Sequence, residues 1–452
     1  MTLHTVILAA GQGSRMRSAL PKVLHPIAGS PMLSHVIDAA EVLAADAIHI
    51  VVGHGGEQVR QALESRQVHW VEQRQQLGTG HAVLQALPGV PDDATVLVLY
   101  GDVPLVQPDT LRSLLSAAAR GPAILTVELE DPDGYGRILR SDKAEVLGIV
   151  EQKDANRAQL AIREINTGLL AAPARLLERW LRRCGNDNAQ GEYYLTDVVA
   201  LAVADGLPVE SVMITDALEV SGVNNRAQLA QLERVWQYRT ALRLMQEGVT
   251  LRDPARLDVR GHLHCAQDVT VDVNCVFEGE VSLAEGVTVG PGCVIRNSRI
   301  GAYAVIEANS VIDGAEIGAR SNVGPFARLR PGTVLHDGAK VGNFVEIKKS
   351  EIGPGSKVNH LSYIGDATLG RDVNVGAGTI TCNYDGTSKH HTVIEDGAFI
   401  GSDTQLVAPV TVGTGAVVGA GTTVTRDVEP GSLALSRTAQ KAIPGWKQRR
   451  SS

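Results

Sequence analysis

Residues 317–347 read IGARSNVGPFARLRPGTVLHDGAKVGNFVEI, and every sixth residue is aliphatic: Ile317, Val323, Leu329, Leu335, Val341 and Ile347. The same period, with occasional steps of five, continues from Val271 to Val424 and is interrupted once, between Val375 and Ile394. A six-residue repeat is too short for helices but suits a parallel β-helix of about eighteen residues per coil, each side burying one aliphatic residue. The alternative, a β-sandwich, would need alternation at period two and hairpin turns.

The N-terminal part, up to about Arg226, has a different pattern. Short apolar runs such as TVILAA (5–10) and TVLVLYGD (95–102) alternate with segments at helical spacing. This alternation is typical of an α/β domain with a largely parallel sheet. Residues 226–247 then keep helical spacing and stop at Gly248, which predicts a connector helix. We therefore predict domains at 1–226 and 249–452, joined by a linker helix at 227–248.

Composition excludes several classes of protein. The formal net charge is −8, and basic residues cluster only in the tail at Lys447, Arg449 and Arg450, which argues against a nucleic-acid partner. The five cysteines form no C-x-x-C pair, so neither a zinc site nor a disulfide framework is predicted. No apolar stretch approaches the ~20 residues of a membrane span. We expect a cytoplasmic protein without a membrane partner.

Residues typical of phosphate chemistry follow two strands of the N-terminal part. TVILAA leads into Gly11-Gln12-Gly13-Ser14-Arg15, a glycine-rich strand-to-helix turn whose N–H groups and helix dipole favour phosphate. Arg15 and Lys22 would offset charge on a triphosphate, although both could be solvated surface charges. Asp102 ends the strand TVLVLYGD and could hold Mg²⁺ or cap the next element, and Asn224 could add a second oxygen.

The interruption of the repeat is the second candidate site. Thr381 to His391 should project from the coil as a loop, and such loops commonly carry function. His360 lies nearby in sequence, and an imidazole, which titrates near neutral pH, suits a general base for an amine attacking a thioester. Arg330 and Lys348 could pair a phosphate. Cys382 is a rival candidate as an acyl-enzyme nucleophile, but direct attack by the amine needs no covalent intermediate.

Several motifs together resemble a known bacterial family. LAAGQGSRM (8–16), Pro21-Lys22, QLGTGHA (76–82), YGD (100–102), EINTG (164–168) and GVNNR (222–226) are similar to those of the bifunctional N-acetylglucosamine-1-phosphate uridyltransferase/glucosamine-1-phosphate N-acetyltransferases. The resemblance implies an N-terminal Rossmann-like nucleotidyltransferase domain, the connector helix and a C-terminal left-handed parallel β-helix of hexapeptide repeats. It also implies a homotrimer that works in cell-envelope polysaccharide synthesis.

The family's reactions would be acetylation of glucosamine 1-phosphate by acetyl-CoA, then transfer of UMP from UTP to N-acetylglucosamine 1-phosphate with release of pyrophosphate. The resemblance implies that Arg15 and Lys22 take part in uridylyl transfer, and that Asp102 and Asn224 bind Mg²⁺. It assigns nucleotide contacts to Leu8, Ala9, Ala10, Gly11, Lys22, Gln73, Gly78, Thr79, Tyr100, Gly101 and Asp102. It assigns sugar-phosphate contacts in the same domain to Gly136, Glu151, Asn166 and Asn224.

For the acetyl site, the resemblance implies His360 as the catalytic base. It assigns amino-sugar-phosphate contacts to Arg330, Lys348, Tyr363 and Asn374, and acetyl-CoA contacts to Ala377, Asn383, Tyr384, Ser402, Ala420 and Arg437. One departure is Gln12, where relatives often carry Lys. Two other hypotheses are a nucleotidyltransferase whose β-helix only oligomerises or regulates, and a non-catalytic regulatory subunit. The latter would be expected to lack Arg15, Lys22 or Asp102.

Overall fold

The computed structural model describes residues 2–119, 121–437, 439–444 and 446, so the basic tail residues Lys447, Arg449 and Arg450 lie outside the described part. The chain divides into two compact units, Met1–Trp236 and Gln237–Ser452. Because this division falls inside a helix, the domain limits predicted at 1–226, 227–248 and 249–452 remain a proposal. Within the described ranges, no helix has the length and apolar character needed to cross a membrane.

The first unit alternates strands and helices. Its strands are β1 (Leu3–Ala9), β2 (Pro26–Ile27), β3 (Ser30–Pro31), β4 (Ala47–Val52), β5 (His69–Glu72), β6 (Thr95–Tyr100), β7 (Ala123–Glu128), β8 (Arg137–Arg140), β9 (Val146–Val150), β10 (Glu164–Pro173) and β11 (Glu210–Ile214). Its helices are α1 (Met32–Glu41), α2 (Gly56–Ala62), α3 (Thr79–Ala86), α4 (Pro108–Ala117), α5 (Arg157–Leu160), α6 (Ala174–Leu181) and α7 (Asp197–Ala204).

A nine-stranded sheet organises this unit, with the main order β11-β7-β10-β6-β1-β4-β5. The central strand β1 is apolar and almost wholly buried, as expected for a strand covered on both faces. It runs parallel to β4 and β6, whereas β10 is antiparallel to β6 and β7. The strands β1 and β6 end side by side, where the Gly101 N–H donates to the Leu8 carbonyl at 3.0 Å. Ligands of such sheets bind at this carboxyl edge.

Helix α8 (Arg226–Gln246) spans the division between the units. Leu232 is buried in a cluster of the first unit, whereas Ala241 and Leu244 belong to the core of the second. The chain after the helix turns at Gly248, which has φ 100° and donates its N–H to the Met245 carbonyl at 3.2 Å. The connector helix with a glycine terminator is thus confirmed.

The second unit is a parallel β-helix. An 11-stranded and a 17-stranded sheet, both parallel, contain its strands. These strands are β12 (Thr250–Leu251), β13 (Leu257–Cys265), β14 (Thr270–Val271), β15 (Cys275–Leu283), β16 (Thr288–Val289), β17 (Val294–Arg296), β18 (Arg299–Ile300), β19 (Val305–Ile306), β20 (Val311–Asp313), β21 (Ala315–Ile317), β22 (Asn322–Val323), β23 (Arg328–Leu329), β24 (Thr333–Leu335), β25 (Lys340–Asn343), β26 (Glu346–Lys348), β27 (Glu351–Ile352), β28 (Lys357–His360), β29 (Tyr363–Gly365), β30 (Ala367–Leu369), β31 (Asn374–Val375), β32 (Ile380–Cys382), β33 (Thr392–Ile394), β34 (Phe399–Ile400), β35 (Gln405–Val407), β36 (Val410–Val412), β37 (Val417–Val418), β38 (Thr423–Val424) and β39 (Leu433–Ala434).

The six-residue period corresponds to one buried residue on each side of a coil. Val323 pairs with Val341 of the next coil, which pairs with Val358, and that residue pairs with Val375. These side chains are at most 2% exposed and belong to one continuous core that runs along the unit. The parallel β-helix predicted from the period is confirmed, and the arrangement is consistent with a left-handed coil.

Several corners of the coil place a non-glycine residue in the left-handed backbone region. Phe326 and Phe344 have φ of 54° and 56°, and the Phe344 N–H donates to the Phe326 carbonyl at 3.2 Å. Leu361, one coil further, has φ 50°. The two phenylalanine rings stack at 5.4 Å and about half of each side chain is exposed. Equivalent corners therefore lie above one another from coil to coil.

Candidate functional sites

A cavity of about 560 Å³ lies at the carboxyl ends of β1 and β6. It is lined by Leu8, Ala9, Ala10, Gly11, Gln12, Lys22, Val23, Gln73, Gln76, Gly78, Thr79, Ala82, Tyr100, Asp102 and Glu192. Apart from Gly101, which lies directly behind it between Tyr100 and Asp102, every residue predicted to contact a nucleotide lines this cavity. A Cβ added at Gly11 would meet no protein atom within 4 Å, so the space beside this backbone is open to a ligand.

The glycine-rich turn differs from its prediction in one respect. Ser14–Met16 forms only a short 3-10 turn, preceded by Gly13 in the left-handed region at φ 62°. The expected helix is absent at this point, so no helix dipole supports a phosphate there. A Cβ at Gly13 would lie 2.6 Å from the Cβ of Lys22, which explains the need for glycine. The positive charge of this site therefore comes from Arg15 and Lys22.

Four polar side chains form the charged centre of the cavity. The Lys22 ammonium donates to the Asp102 carboxylate and lies 3.4 Å from the Asn224 Oδ1. Arg15 donates to the same Asn224 oxygen at 2.9 Å. The Val223 N–H donates to the Asp102 carbonyl at 2.9 Å, which ties together the two loops that carry Asp102 and Asn224. Residues about 200 positions apart in sequence thus converge.

The donor set fits a magnesium ion. The side-chain oxygens of Asp102 and Asn224 converge on one cationic group, the Lys22 ammonium, and Asn224 also accepts from Arg15, so a metal cation could take the place of the ammonium at these oxygens. In the parts of the chain that the structure describes, no group of three His, Cys, Asp or Glu residues is arranged to bind a metal. Mg²⁺ commonly takes only one or two protein oxygens and completes its shell with phosphate and water.

A second group of predicted residues lies next to this centre. The Asn166 N–H donates to the Gly136 carbonyl at 2.9 Å, and a Cβ at Gly136 would lie 3.5 Å from both carboxylate oxygens of Glu151. Burial raises the pKa of Glu151, a hydrogen bond from Thr196 lowers it, and Asp154 and Asp197 raise it further. Thr196 Oγ1 donates to Glu151 at 3.0 Å and was not predicted from the sequence.

Tyr100 connects the two parts of this site. Burial raises the pKa of its hydroxyl, and the charges of Glu151 and Asp102 raise it further. A Cβ at Gly168 would lie 2.6 Å from the Tyr100 ring, so the EINTG motif ends in glycine to admit this side chain. Tyr100 lines the cavity of Lys22 and Asp102, whereas Glu151 lines a separate pocket that is close enough for its charge to act on Tyr100.

In the β-helix, cationic side chains gather on successive coils. The Arg330 N–H donates to the Ile347 carbonyl at 2.9 Å, and Lys348 pairs with Gly365 of the strand that carries Tyr363. Arg330 also donates to Glu346 at 2.9 Å. A contact with Lys348 lowers the pKa of Lys389, first through a hydrogen bond and then through repulsion of like charges. Two adjacent ammonium groups suit a phosphate.

Lys389 was not predicted as a site residue. It lies on the loop that interrupts the repeat, and its position beside Lys348 depends on that loop folding back. The loop is a compact turn, because Asp385 accepts hydrogen bonds from the Thr387 and Ser388 N–H groups at 2.8 and 2.7 Å. In the sequence, the only signal for Lys389 was its place as a lysine in the segment that interrupts the repeat.

His360 lies at the end of β28 and is solvent-exposed. Its Nδ1 lies 2.8 Å from the Asn343 side-chain oxygen, one coil earlier. An amide oxygen can only accept, so this contact favours the tautomer with the proton on Nδ1 and leaves Nε2 as the nitrogen that faces away from Asn343. Asn343 therefore orients the imidazole, although no motif identified it. The predicted contact Asn374 begins β31, the next strand of the same sheet.

The residues predicted to bind acetyl-CoA occupy two places. Ala377, Ser402 and Ala420 lie on one corner of successive coils, because the Asp403 N–H donates to the Ala377 carbonyl and the Gly421 N–H to the Ser402 carbonyl. Arg437 Nε donates to the Ala420 carbonyl at 3.1 Å and extends this column. The other place is the loop, where Asn383 donates to Asp366 and the exposed Tyr384 donates to the Gly386 carbonyl at 2.6 Å.

Known proteins are similar to this chain along nearly its whole length, so the similarity includes both sites. The chain is 60% identical over 446 residues to the "Bifunctional protein GlmU" of Alkalilimnicola ehrlichii, covering 99% of this chain and 96% of that protein. Proteins of the same name from Marinobacter nauticus and Burkholderia thailandensis are 59% and 58% identical, with 98% of each covered and 99% and 98% of this chain. The chain belongs to the bifunctional GlmU family.

Family models agree with the two-part organisation of this GlmU-family chain. A MobA-like NTP transferase domain matches residues 5–190, the GMPPB C-terminal domain matches residues 259–360, and six bacterial transferase hexapeptide repeats match residues 391–426. The resemblance and the fold class predicted from the sequence are confirmed. The functional roles of the individual residues remain proposals.

Cys382 has few features of a nucleophile in this GlmU-family site. Burial raises the pKa of its thiol, which disfavours the reactive thiolate. Among the residues that the structure describes, the hydrogen-bond contact of its sulfur is a long one of 4.0 Å, to the Ile380 carbonyl. The rival prediction of an acyl-enzyme intermediate on Cys382 thus receives no support from the local chemistry.

Proposed function

We propose that this chain synthesises UDP-N-acetylglucosamine in two reactions. The β-helix acetylates glucosamine 1-phosphate with acetyl-CoA, and the N-terminal unit then transfers UMP from UTP to N-acetylglucosamine 1-phosphate and releases pyrophosphate. The single observation that carries this proposal is 54 to 60% identity to bifunctional GlmU proteins over nearly the whole chain. The two separate polar sites are in accord with two chemistries.

In uridylyl transfer, Arg15 and Lys22 would neutralise the triphosphate and the leaving pyrophosphate. A phosphate oxygen of the sugar 1-phosphate attacks the α-phosphorus of UTP, and the bond between the α-phosphorus and the bridging oxygen breaks. Asp102 and Asn224 would hold Mg²⁺, which, when bound, offsets charge on the phosphate oxygens. Lys22 then exchanges its contact with Asp102 for contacts with the nucleotide.

The sugar would bind beside Gly136 and Glu151. The carboxylate of Glu151 can accept from a sugar hydroxyl while Thr196 holds its other side. Gly136 leaves room for the ring to approach the backbone, since a side chain there would enter the space in front of Glu151. Asn166 fixes the Gly136 carbonyl from the neighbouring strand. The nucleotide would occupy the cavity at the carboxyl ends of β1 and β6.

In acetyl transfer, His360 would take a proton from the amino group of glucosamine 1-phosphate at Nε2. The amine nitrogen bonds to the thioester carbon, the carbon–sulfur bond breaks, and the coenzyme A sulfur leaves as the thiol once it receives a proton. Arg330, Lys348 and Lys389 would bind the sugar phosphate, near Tyr363 and Asn374. Acetyl-CoA would lie along the column of Ala377, Ser402, Ala420 and Arg437, with Asn383 and Tyr384 at the loop.

We further propose that the protein is a cytoplasmic homotrimer that acts on small molecules and has no nucleic-acid or membrane partner. The hexapeptide repeat is in accord with oligomerisation, because the flat sides of its coils suit cyclic packing. Analytical ultracentrifugation of the purified chain tests the trimer.

The decisive experiment measures thiol release from acetyl-CoA with and without glucosamine 1-phosphate, and pyrophosphate release from UTP with N-acetylglucosamine 1-phosphate. His360→Ala should lose only the acceptor-dependent thiol release. His336→Ala is the matched control, because His336 is an exposed histidine of the same β-helix that pairs with Glu351 at 2.5 Å. Pyrophosphate release without acceptor-dependent thiol release would instead identify a nucleotidyltransferase with a non-catalytic β-helix.

A further inference from the structure

Arg137 is a buried arginine beside the sugar subsite. It begins β8, directly after Gly136, and only 2% of it is exposed. Within the described part of the chain it makes no salt bridge, and its Nε has no hydrogen-bond partner. Burying a charge without an opposite charge is unfavourable unless its hydrogen bonds compensate. The remaining contacts of Arg137 therefore indicate what it does.

One terminal nitrogen of Arg137 contacts the turn Asp131–Gly136 directly, and the other contacts Gln152, which itself bonds to the turn. Nη1 donates to the Tyr135 carbonyl, and Nη2 donates to Gln152 Oε1 at 3.0 Å. The same Gln152 oxygen accepts from the Gly134 N–H at 2.9 Å, and the Gln152 amide nitrogen donates to Asp133. Arg137 and Gln152 thus hold the turn from both of its sides.

Other bonds also hold the turn: the Asn166 N–H donates to the Gly136 carbonyl at 2.9 Å, and the Asp133 N–H donates to the Asp131 carboxylate at 3.2 Å. The Tyr135 N–H donates to the Pro132 carbonyl at 3.2 Å, and Gly134 lies in the left-handed region at φ 86°. Glycine is the residue that occupies this region at least cost. Without Arg137 and Gln152, the turn would lose its side-chain bonds at Asp133, Gly134 and Tyr135 and would be held less firmly.

The turn lies against both parts of the uridylyl site. Its last residue, Gly136, faces the Glu151 carboxylate across the space of an absent side chain. Tyr135 packs against the apolar cluster that contains Val103, the residue after Asp102. Burial raises the pKa of Tyr135, and the charge of Asp102 raises it further. A displacement of the turn would therefore change the shape of the region where the sugar 1-phosphate is proposed to bind.

We propose that Arg137 is a positioning residue that holds the turn Asp131–Gly136 against the sugar subsite and thereby sets the affinity for N-acetylglucosamine 1-phosphate. This inference rests on the proposed uridylyl transfer. Arg137 contacts the turn and not the cavity, so it acts through Tyr135 and Gly136. Nucleotide binding, which uses residues on other loops, should depend on it much less.

The test is steady-state kinetics of uridylyl transfer by the full-length chain. Arg137→Met should raise the KM for N-acetylglucosamine 1-phosphate by about tenfold or more, because small misplacements of binding groups have effects of this size. The KM for UTP should change by less than about twofold, since the nucleotide uses other loops. Arg137→Lys should restore part of the loss, because an ammonium group can reach one of the two acceptors. Acetyl transfer by the same preparation should be unchanged.

Arg140→Met is the matched control. Arg140 lies on the same strand and donates to Glu164 at 2.6 and 2.7 Å, away from the turn. The Arg140→Met substitution should lower thermal stability. It should not raise the KM for the sugar phosphate by a larger factor than the KM for UTP. If Arg137→Met gives equal changes in both KM values, or only the stability loss of the control, the positioning role is wrong. If Arg137→Met does not fold, Gln152→Ala replaces it, because this variant lacks the oxygen that accepts from both Arg137 and Gly134. The changes in the two KM values are then compared in the same way. Absence of uridylyl transfer in the wild-type chain would refute the proposed function instead.

Discussion

Three histidines stand side by side on β1, β4 and β5, and they predict how the N-terminal unit responds to acid. His4 Nδ1 lies 3.0 Å from His49 Nε2, and the His49 ring stacks on His4 at 5.3 Å and on His69 at 5.2 Å. His4 and His49 are only 7% and 4% exposed. Burial, together with the proximity of His4 and His69, lowers the pKa of His49 to about 4.

The sign of the effect follows from proton linkage. Between the folded value of about 4 and the ordinary value of 6.5, the unfolded chain binds a proton that folded His49 does not. The free energy of unfolding therefore falls as the pH falls through this window. At 1.36 kcal/mol for each pH unit, His49 alone removes about 3 kcal/mol by pH 4. Burial also lowers the pKa of His4, which adds to the loss in the same direction.

Urea unfolding at several pH values between 7 and 4.5 would measure this effect. Tryptophan fluorescence reports on the first unit through Trp180, which is fully buried there. His49→Gln keeps a hydrogen-bonding side chain but cannot titrate, so the pH dependence of its unfolding free energy should be visibly flatter. His54→Gln, at an exposed histidine of the same unit, is the control and should behave as the wild type. Equal slopes for His49→Gln and the wild type would refute the reasoning.

Three further outcomes are expected. Asp102→Asn and chelation of divalent cations by EDTA should each lower the kcat of uridylyl transfer by about a hundredfold or more, with acetyl transfer intact, and an EDTA-resistant reaction would contradict the magnesium site. Asn343→Ala should lower the kcat of acetyl transfer by about tenfold, less than His360→Ala does, since the base remains but is no longer oriented; a kcat equal to the wild type would argue against this role. Ile347→Ala should cost about 2–5 kcal/mol in the urea unfolding of the β-helix, because its side chain is fully buried in the continuous core, and a loss below ~1 kcal/mol would mean that the coil collapses around the gap.

The β-helix was predictable because its fold repeats a local rule. Every coil buries one aliphatic residue on each side, so Val323, Val341 and Val358 reveal in sequence the stack that they form in space. The N-terminal unit was predictable as a class, because buried parallel strands are uniformly apolar. The antiparallel strand β10 has a buried apolar run, Leu169 to Ala172, and nothing in that run shows its direction, which only the pairing with its neighbours reveals.

The site was less predictable where residues act through partners distant in sequence. Thr196 reaches Glu151 from the end of a separate loop, and Asn343 reaches His360 only because coils stack. Neither contact produces a pattern of nearby residues that could be recognised in the sequence. The helix expected after Gly13 failed for a local reason, since the chain must turn back after one 3-10 turn to bring Lys22 beside the glycine.

The left-handed corners of the β-helix also suggest how a more heat-resistant form of the protein could be engineered. A side chain with a Cβ in this conformation costs roughly 1 kcal/mol, whereas asparagine tolerates it. Arg320 has φ 57° at a corner away from the predicted acetyl-site residues. Replacing Arg320 with asparagine would relieve the backbone strain at this corner. The residues at similar corners along the coil could be replaced in the same way, one at a time. Because each coil touches only its neighbours, such gains should accumulate along the rod almost independently.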